Sequence, residues 1–299
     1  MNLEEETRNG YTISKEMKEM WDIQMRMAKK VIEVCNKHGL RIWADSGTLL
    51  GAVREKGFIP WDDDIDLVML REDYDKLVKI APTEFEGPFF FQCAYTDKLY
   101  PRGHAQMRYN GTAAILPHEV DCKFNQSIFV DIFVLDTLPS DTQLLASETV
   151  RAEMLRYFLE MRVFDKCEWS SPKSILRHAF VYVLFFFISY RKVFSKFERH
   201  YAEMGDGAEL SYPAYSLRSL LKYRYKKEWF AETLNLPFED TTLPVPVGYD
   251  NILKSLYGPN YMTPVKAPTA HGTLIFDPHR SYKEVLKDIK AGKIKINKK

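Results

Sequence analysis

Residues 128–136, IFVDIFVLD, are the most strand-like stretch of the chain, and they set a carboxylate, Asp131, in the middle of an apolar run. A charge so placed is not buried without a partner, so the fold must bring either a metal cation or an arginine to that point of its sheet. A second apolar strand, IDLVML at 65–70, follows directly on the acids of WDDDIDLVML. Alternate side chains of an extended strand share a face, which predicts Asp62, Asp64 and Asp66 together, with Asp63 and Ile65 opposite. Carboxylates crowded in this way repel unless a cation sits among them, and hard oxygen ligands suit Mg²⁺ or Mn²⁺. A lone D-x-D is more often a solvated acidic loop. Here it has company: at Ser46-Gly47-Thr48 a strand turns into a helix, whose free N–H groups make a phosphate site that the glycine lets a ligand approach. Two carboxylates from one strand and a third from its neighbour are the usual layout for holding metal and activating a hydroxyl in phosphoryl transfer.

Around these motifs, Met17, Met20, Trp21, Ala28, Val31, Ile32 and Cys35 recur at helical spacing and predict an amphipathic core helix over 14–37, ended by His38-Gly39. RIWAD (41–45) reads as a short strand, SGTLLGAVR as a turn entering a helix, and Glu72 to Ile80 as a helix stopped by Pro82. FFFQCAY, AQMRY and TAAIL read as further strands. From Asp141 the character changes to long helical stretches as far as Tyr225. A Pro-rich segment, FEDTTLPVPVGYD, a last helix near Asn251–Leu256 and a loosely held lysine-rich tail follow. The expected class is α/β (α+β): a catalytic core over 1–140 with its N-terminal helix, then a mostly helical region over 141–299.

The 42 basic and 41 acidic residues nearly cancel, so no overall field draws the chain to nucleic acid. Four scattered cysteines form no C-x-x-C pair and fit a reducing compartment. MNLEEETRNG has neither the positive start nor the apolar run of a secretory signal, so a cytoplasmic location is expected. AFVYVLFFFISY (179–190) is twelve uncharged residues, against roughly 20 for a membrane-spanning helix. It has Lys173 and Arg177 before it and Arg191, Lys192, Lys196 and Arg199 after it. Two readings of the stretch 173–199 stay open: a helix lying in an anionic membrane surface, at the inner face of the plasma membrane, and a buried core helix with solvated ends.

The stretch ADSGTLLGAVREKGFIPWDDDIDLVML (44–70) closely resembles the hallmark of the LicD family, bacterial phosphocholine transferases related to the animal fukutin-related proteins. MRYNGT (107–112), IFVDIFVLD and LPVPVGYDNILKSLYGPNYMTP ahead of His271 agree in order. The resemblance implies a nucleotidyltransferase-like fold with a mixed sheet and a segment near 243–272 returning to the active site. It implies transfer of a phospho-alcohol, phosphocholine or a phospho-polyol, from its CDP-activated form to a sugar hydroxyl, with CMP leaving. It puts the family's metal aspartates on Asp64 and Asp66, its third acidic position on Asp131 and its glycine turn on Gly47 and Thr48. A cell-surface glycan carried on a lipid would give a membrane attachment its purpose.

In that setting Asp131 is placed to take the acceptor's proton, while Arg54 and Arg108 read either as bidentate phosphate contacts or as surface charges. His271 reads as a diphosphate or acceptor contact or as an incidental loop histidine, and Ser46 joins Gly47 and Thr48 in the donor site. Trp61, Tyr95 and Tyr109 offer rings for a base or a choline-like cation, core packing being their default. Three rivals remain: a true nucleotidyltransferase, a D-x-D glycosyltransferase and a non-catalytic membrane scaffold. The placing of the S-G-T turn and of Asp131 favours the nucleotidyltransferase layout over the second, and clustered acids argue against the third.

Overall fold

The computed structural model describes residues 1–164, 170–213, 220, 223–266 and 274–296. A small hairpin of β1 (Glu6–Arg8) and β2 (Tyr11–Ile13) leads into α1 (Lys15–Lys37), which Ser14 caps by accepting the Met17 N–H. The helix buries the expected apolar stripe, Met17 and Ile32 only in part, and its Trp21 stacks on Phe58 with ring centroids 4.4 Å apart. Burial of a side chain of this kind contributes about 1.5–3 kcal/mol.

Next come β3 (Trp43–Ala44), α2 (Ser46–Arg54), β4 (Asp66–Leu70) and α3 (Arg71–Glu84). Pro82 was expected to stop α3, yet the helix runs through it. In the last turn a proline forfeits one N–H bond only, and the Phe85 N–H still closes onto the Ala81 carbonyl. Strands β5 (Phe89–Gln92), β6 (Ala105–Tyr109), β7 (Ala113–Ile115) and β8 (Ile128–Thr137) follow. Central β8 pairs with β4 in parallel along one edge. Its other edge takes β6 antiparallel over its first half and β9 (Glu209–Ser211) at its end. With β3, β5 and β10 (Tyr225–Lys226) these strands make a seven-stranded mixed sheet, so residues on both sides of position 140 share one sheet.

Helices α4 (Thr142–Phe164), α5 (Pro172–Phe187) and α6 (Tyr190–Glu198) make up the expected helical stretch as far as Glu198, after which β9 and β10 return to the sheet among the described residues. The Pro-rich segment is half of a hairpin, β11 (Thr233–Phe238) with β12 (Thr241–Pro246). A sheet of two strands consists entirely of edges, where proline is tolerated. Then come α7 (Tyr249–Tyr257), β13 (Ile275–Asp277) on β7, and a helix that periodicity missed, α8 (Tyr282–Lys290).

One ionic clamp ties the helical segment to the sheet. Arg71, at the start of α3, donates to both Asp136 oxygens (2.7 and 2.9 Å), to Glu198 Oε1 (3.2 Å) and to the Glu198 carbonyl (3.1 Å). The Tyr95 hydroxyl also donates to Glu198. The apolar segment 179–190, by contrast, is no core helix of this chain. Of α5 only Ser174, His178 and Val181 are buried, while Phe186 and Phe187 are 83% and 79% exposed. No single helix among the described residues is long and apolar enough to cross a membrane.

Candidate active site

The register between β4 and β8 sets Asp66 directly beside Asp131, and β6 adds Gln106 on the other side of Asp131. Adjacent strands lie about 4.8 Å apart, so a carboxylate on each of two neighbours necessarily crowds the other. Asp64 enters from the lead-in to β4, and one ligand atom from each of Asp64, Asp66 and Asp131 lies within 4.8 Å of the others. Asp62, Asp63 and Asp64 form a second such triple. The alternation expected from Asp62 onward therefore fails, since pairing as a strand begins only at Asp66. Upstream the chain is a loop held by α1: Trp21 Nε1 donates to the Asp62 carbonyl (3.0 Å) and Gln24 Nε2 to the Asp63 carbonyl (2.8 Å).

The glycine turn is built around these acids. Asp45 leads into α2 and donates its N–H to the Asp66 carbonyl, while the Thr48 hydroxyl accepts the Asp66 N–H at 2.8 Å. A Cβ added to Gly47 would stand 2.4 Å from Asp62 Oδ2, so the close approach that this glycine allows is that of the Asp62 carboxylate. The first turn of a helix is a favourable place for such a charge. Ser46 has φ +46°, a left-handed conformation uncommon for a residue with a side chain. Buried Asp45 accepts the Tyr212 hydroxyl.

Asp131 Oδ1 accepts from Gln106 Nε2 at 2.7 Å and lies 3.0 Å from His104 Nε2, whose ring rests on Phe133. Behind them Arg108 donates to Gln92, to the Ser127 carbonyl and to Gln106, and it is 1% exposed. Burial, then the nearby Arg102, pulls its guanidinium down to about 10. Arg108 is thus no surface charge; it fixes the amide that holds Asp131. Arg54 lies at the far end of α2, about 10 Å along the helix from Gly47. It donates to Glu55 and to the Tyr261 carbonyl, so it ties α2 to the turn after α7 and does not face the glycine turn. His271 lies outside the described residues.

Asp64 and Asp66 are half-buried by surface area, and both are held well above the usual carboxylate range. Burial is the first cause for each. Asp62, Asp63 and Asp131 add to it for Asp64, and Asp64, Asp131, Asp45 and Asp62 for Asp66. Tyr257, at the end of α7, is 46% exposed, and its hydroxyl is raised by desolvation and then by the charges of Asp45, Asp66 and Asp62. An all-oxygen donor set that repels itself when empty of cations fits a hard divalent ion.

Residues 39–133 match the family model described as LicD/FKTN/FKRP, nucleotidyltransferase domain. The chain carries a LicD-family domain. Lipopolysaccharide cholinephosphotransferase LicD of Haemophilus influenzae is 26% identical over 243 residues, 77% of this chain and 84% of that protein. Ribitol 5-phosphate transferase FKRP of Homo sapiens is 46% identical over 57 residues, 19% of this chain and 12% of its own length. Uncharacterized protein RP689 of Rickettsia prowazekii is 34% identical over 114 residues, 38% of this chain and 39% of its own.

The LicD-family domain, residues 39–133, takes in Asp45 to Asp131, yet the supports of the acids also come from outside it: Trp21 and Gln24 from α1, and Tyr212 after β9. Sequence reasoning missed His104, Gln106, Asp45 and Tyr212. For the first two a signal existed, because His104, Gln106 and Arg108 alternate at period two and so share one strand face.

Proposed function

We propose that the chain moves a phospho-alcohol group, phosphocholine or a phospho-polyol, from a CDP-activated donor to a hydroxyl of a cell-surface glycan, with CMP leaving. It is a transferase of phosphorus-containing groups. The observation that carries this reading is the convergence within 4.8 Å of Asp66 and Asp131, on neighbouring strands, with Asp64 from the loop before β4. The relatives' names, a cholinephosphotransferase and a ribitol 5-phosphate transferase, support a phosphorylated alcohol as the group moved.

Asp64, Asp66 and Asp131 would hold Mg²⁺ or Mn²⁺, which when bound neutralises the donor's pyrophosphate and the charge on leaving CMP. The acceptor oxygen bonds to the phosphorus that bears the alcohol. The bond from that phosphorus to the bridging oxygen breaks, and CMP departs with the electron pair. Asp131 takes the hydroxyl proton while His104 and Gln106 fix its carboxylate. The Asp62 carboxylate against Gly47 and the Thr48 hydroxyl on the Asp66 N–H hold the acid loop to α2.

The description of the family model as a nucleotidyltransferase domain favours a second reading, attack at the nucleotide side of a pyrophosphate. Incubation of the full chain with CDP-choline, CDP-ribitol and CDP-glycerol, with cell-envelope glycan and with or without Mg²⁺, separates the two. The expected result is CMP release that needs both glycan and Mg²⁺, with a new phosphodiester signal by phosphorus NMR. Release of the free phospho-alcohol in place of CMP, with the CMP group left on the acceptor, supports the second reading, and no turnover of any donor overturns the first.

A further inference from the structure

We propose that the exposed apolar face of α5, continued by α4, docks this protein onto an anionic bilayer surface and lies in that surface without crossing it. The proposal does not depend on the phosphotransfer reading. Of α5, the buried positions Ser174, His178 and Val181 make one narrow stripe, Leu184 and Phe185 are half-buried with Phe185 packed on the cluster around Phe194, and the other apolar side chains face outward. Leu176, Phe180, Val183, Phe186 and Phe187 are 73, 56, 56, 83 and 79% exposed, and on α4 Met154 is 51% exposed. The two helices meet where Phe158 approaches Phe180 at 6.1 Å, so their exposed residues belong to one surface. An apolar surface of this kind marks an interaction site.

Charge decides between occupants. From 170 to 197 there is no Asp or Glu, and the five charged residues, Lys173, Arg177, Arg191, Lys192 and Lys196, are all cationic and exposed, whereas α4 balances Glu148, Glu153 and Glu160 against Arg151, Arg156 and Arg162. The chain as a whole is close to neutral, so this sign is a local property. A second copy docking face to face would oppose the same five cations, which like-charge repulsion disfavours. An anionic lipid surface matches both the greasy face and its basic rim, each Lys or Arg near the surface adding attraction.

The geometry also argues for lying in the surface. The 16 residues of α5 span about 24 Å, against roughly 30 Å of hydrocarbon. The chain then bends by 100° into α6, which buries Val193, Phe194 and Phe197 back in the protein.

Co-sedimentation of the full chain with vesicles tests this, using equal parts phosphatidylglycerol and phosphatidylcholine beside pure phosphatidylcholine. Wild type is expected to pellet with the anionic vesicles, with partitioning lower by roughly tenfold or more on neutral ones and falling in high salt. The F186E/F187E variant, changed at two exposed positions, is expected to lose at least roughly tenfold in partitioning with its melting temperature kept. Should that variant unfold, the K173E/K192E variant must lose the preference for anionic vesicles. Wild type remaining in the supernatant overturns the proposal, as do variants that bind like wild type. So does a dimer, seen by sedimentation velocity and split by F186E/F187E, from a protein that ignores vesicles.

Discussion

Asp131→Asn is expected to lower turnover by about 10²–10⁴-fold while leaving the melting temperature within a few degrees of wild type. Asparagine keeps the size of the side chain and an oxygen that can accept from Gln106 and His104, so the local packing survives. What it removes is a negative charge beside Asp64 and Asp66 and an acceptor for the hydroxyl proton. The lost charge relieves repulsion in the metal-free protein, so no loss of stability offsets the interpretation. His104→Gln, which touches the carboxylate from behind, is expected to cost less, about 10–100-fold. Steady-state kinetics with a CDP-alcohol and glycan reads both. Wild-type turnover in Asp131→Asn would reduce Asp131 to a residue of the sheet.

Arg71→Met is expected to destabilise the fold by about 3–5 kcal/mol, the cost of leaving buried charges without their partner. Asp136 and Glu198 are 1% and 2% exposed, and Arg71 is shared between them at 2.7 and 3.2 Å. Urea unfolding monitored by tryptophan fluorescence measures the loss. Arg71→Lys should recover only part of it, because an ammonium cannot reproduce the two-pronged contact with Asp136. The sign of the pH dependence follows from Glu198. Burial already holds its carboxyl above the ordinary value, and Arg71 is the main opposing influence. Without Arg71 the folded state holds that proton more tightly than the unfolded state does, and stability is lost as pH rises through the folded value. The deficit of the variant should therefore shrink on acidification. A loss under about 1 kcal/mol would mean that solvent reaches the clamp.

Much of the fold was legible because local signals and tertiary outcome agree. The apolar runs at 65–70 and 128–136 became adjacent strands, the stripe of α1 became core, and Ser46 opens a helix as the S-G-T turn implied. The three aspartates meet because the strand register sets Asp66 beside Asp131, which no spacing in the sequence specifies. The supports were hidden for a related reason. Tyr212 reaches Asp45 across 167 residues, and Arg108 looks like any surface arginine until the sheet closes over it. Helix α8 was findable: Ser281 and Glu284 form a capping box, three residues apart as its signature requires. The loop from Asp62 to Ile65 misled because acids before an apolar strand look like strand, whereas Trp21 and Gln24 hold that backbone as a loop.

The central claim, that Asp64, Asp66 and Asp131 form one cation-dependent centre, is tested most directly by Mn²⁺ titration followed by electron paramagnetic resonance. Metal-free, Asp64 and Asp66 sit above the unfolded carboxylate value of 3.8, so the folded protein carries extra protons and loses stability as pH rises through their folded values. A divalent ion displaces those protons, so binding must tighten as pH rises. Wild type is predicted to bind one Mn²⁺ at the cluster, more tightly at about pH 8 than at about pH 6, and the Asp64→Asn, Asp66→Asn double variant to bind none. A wild type that binds no Mn²⁺, or binds it no better than the double variant, would contradict the account.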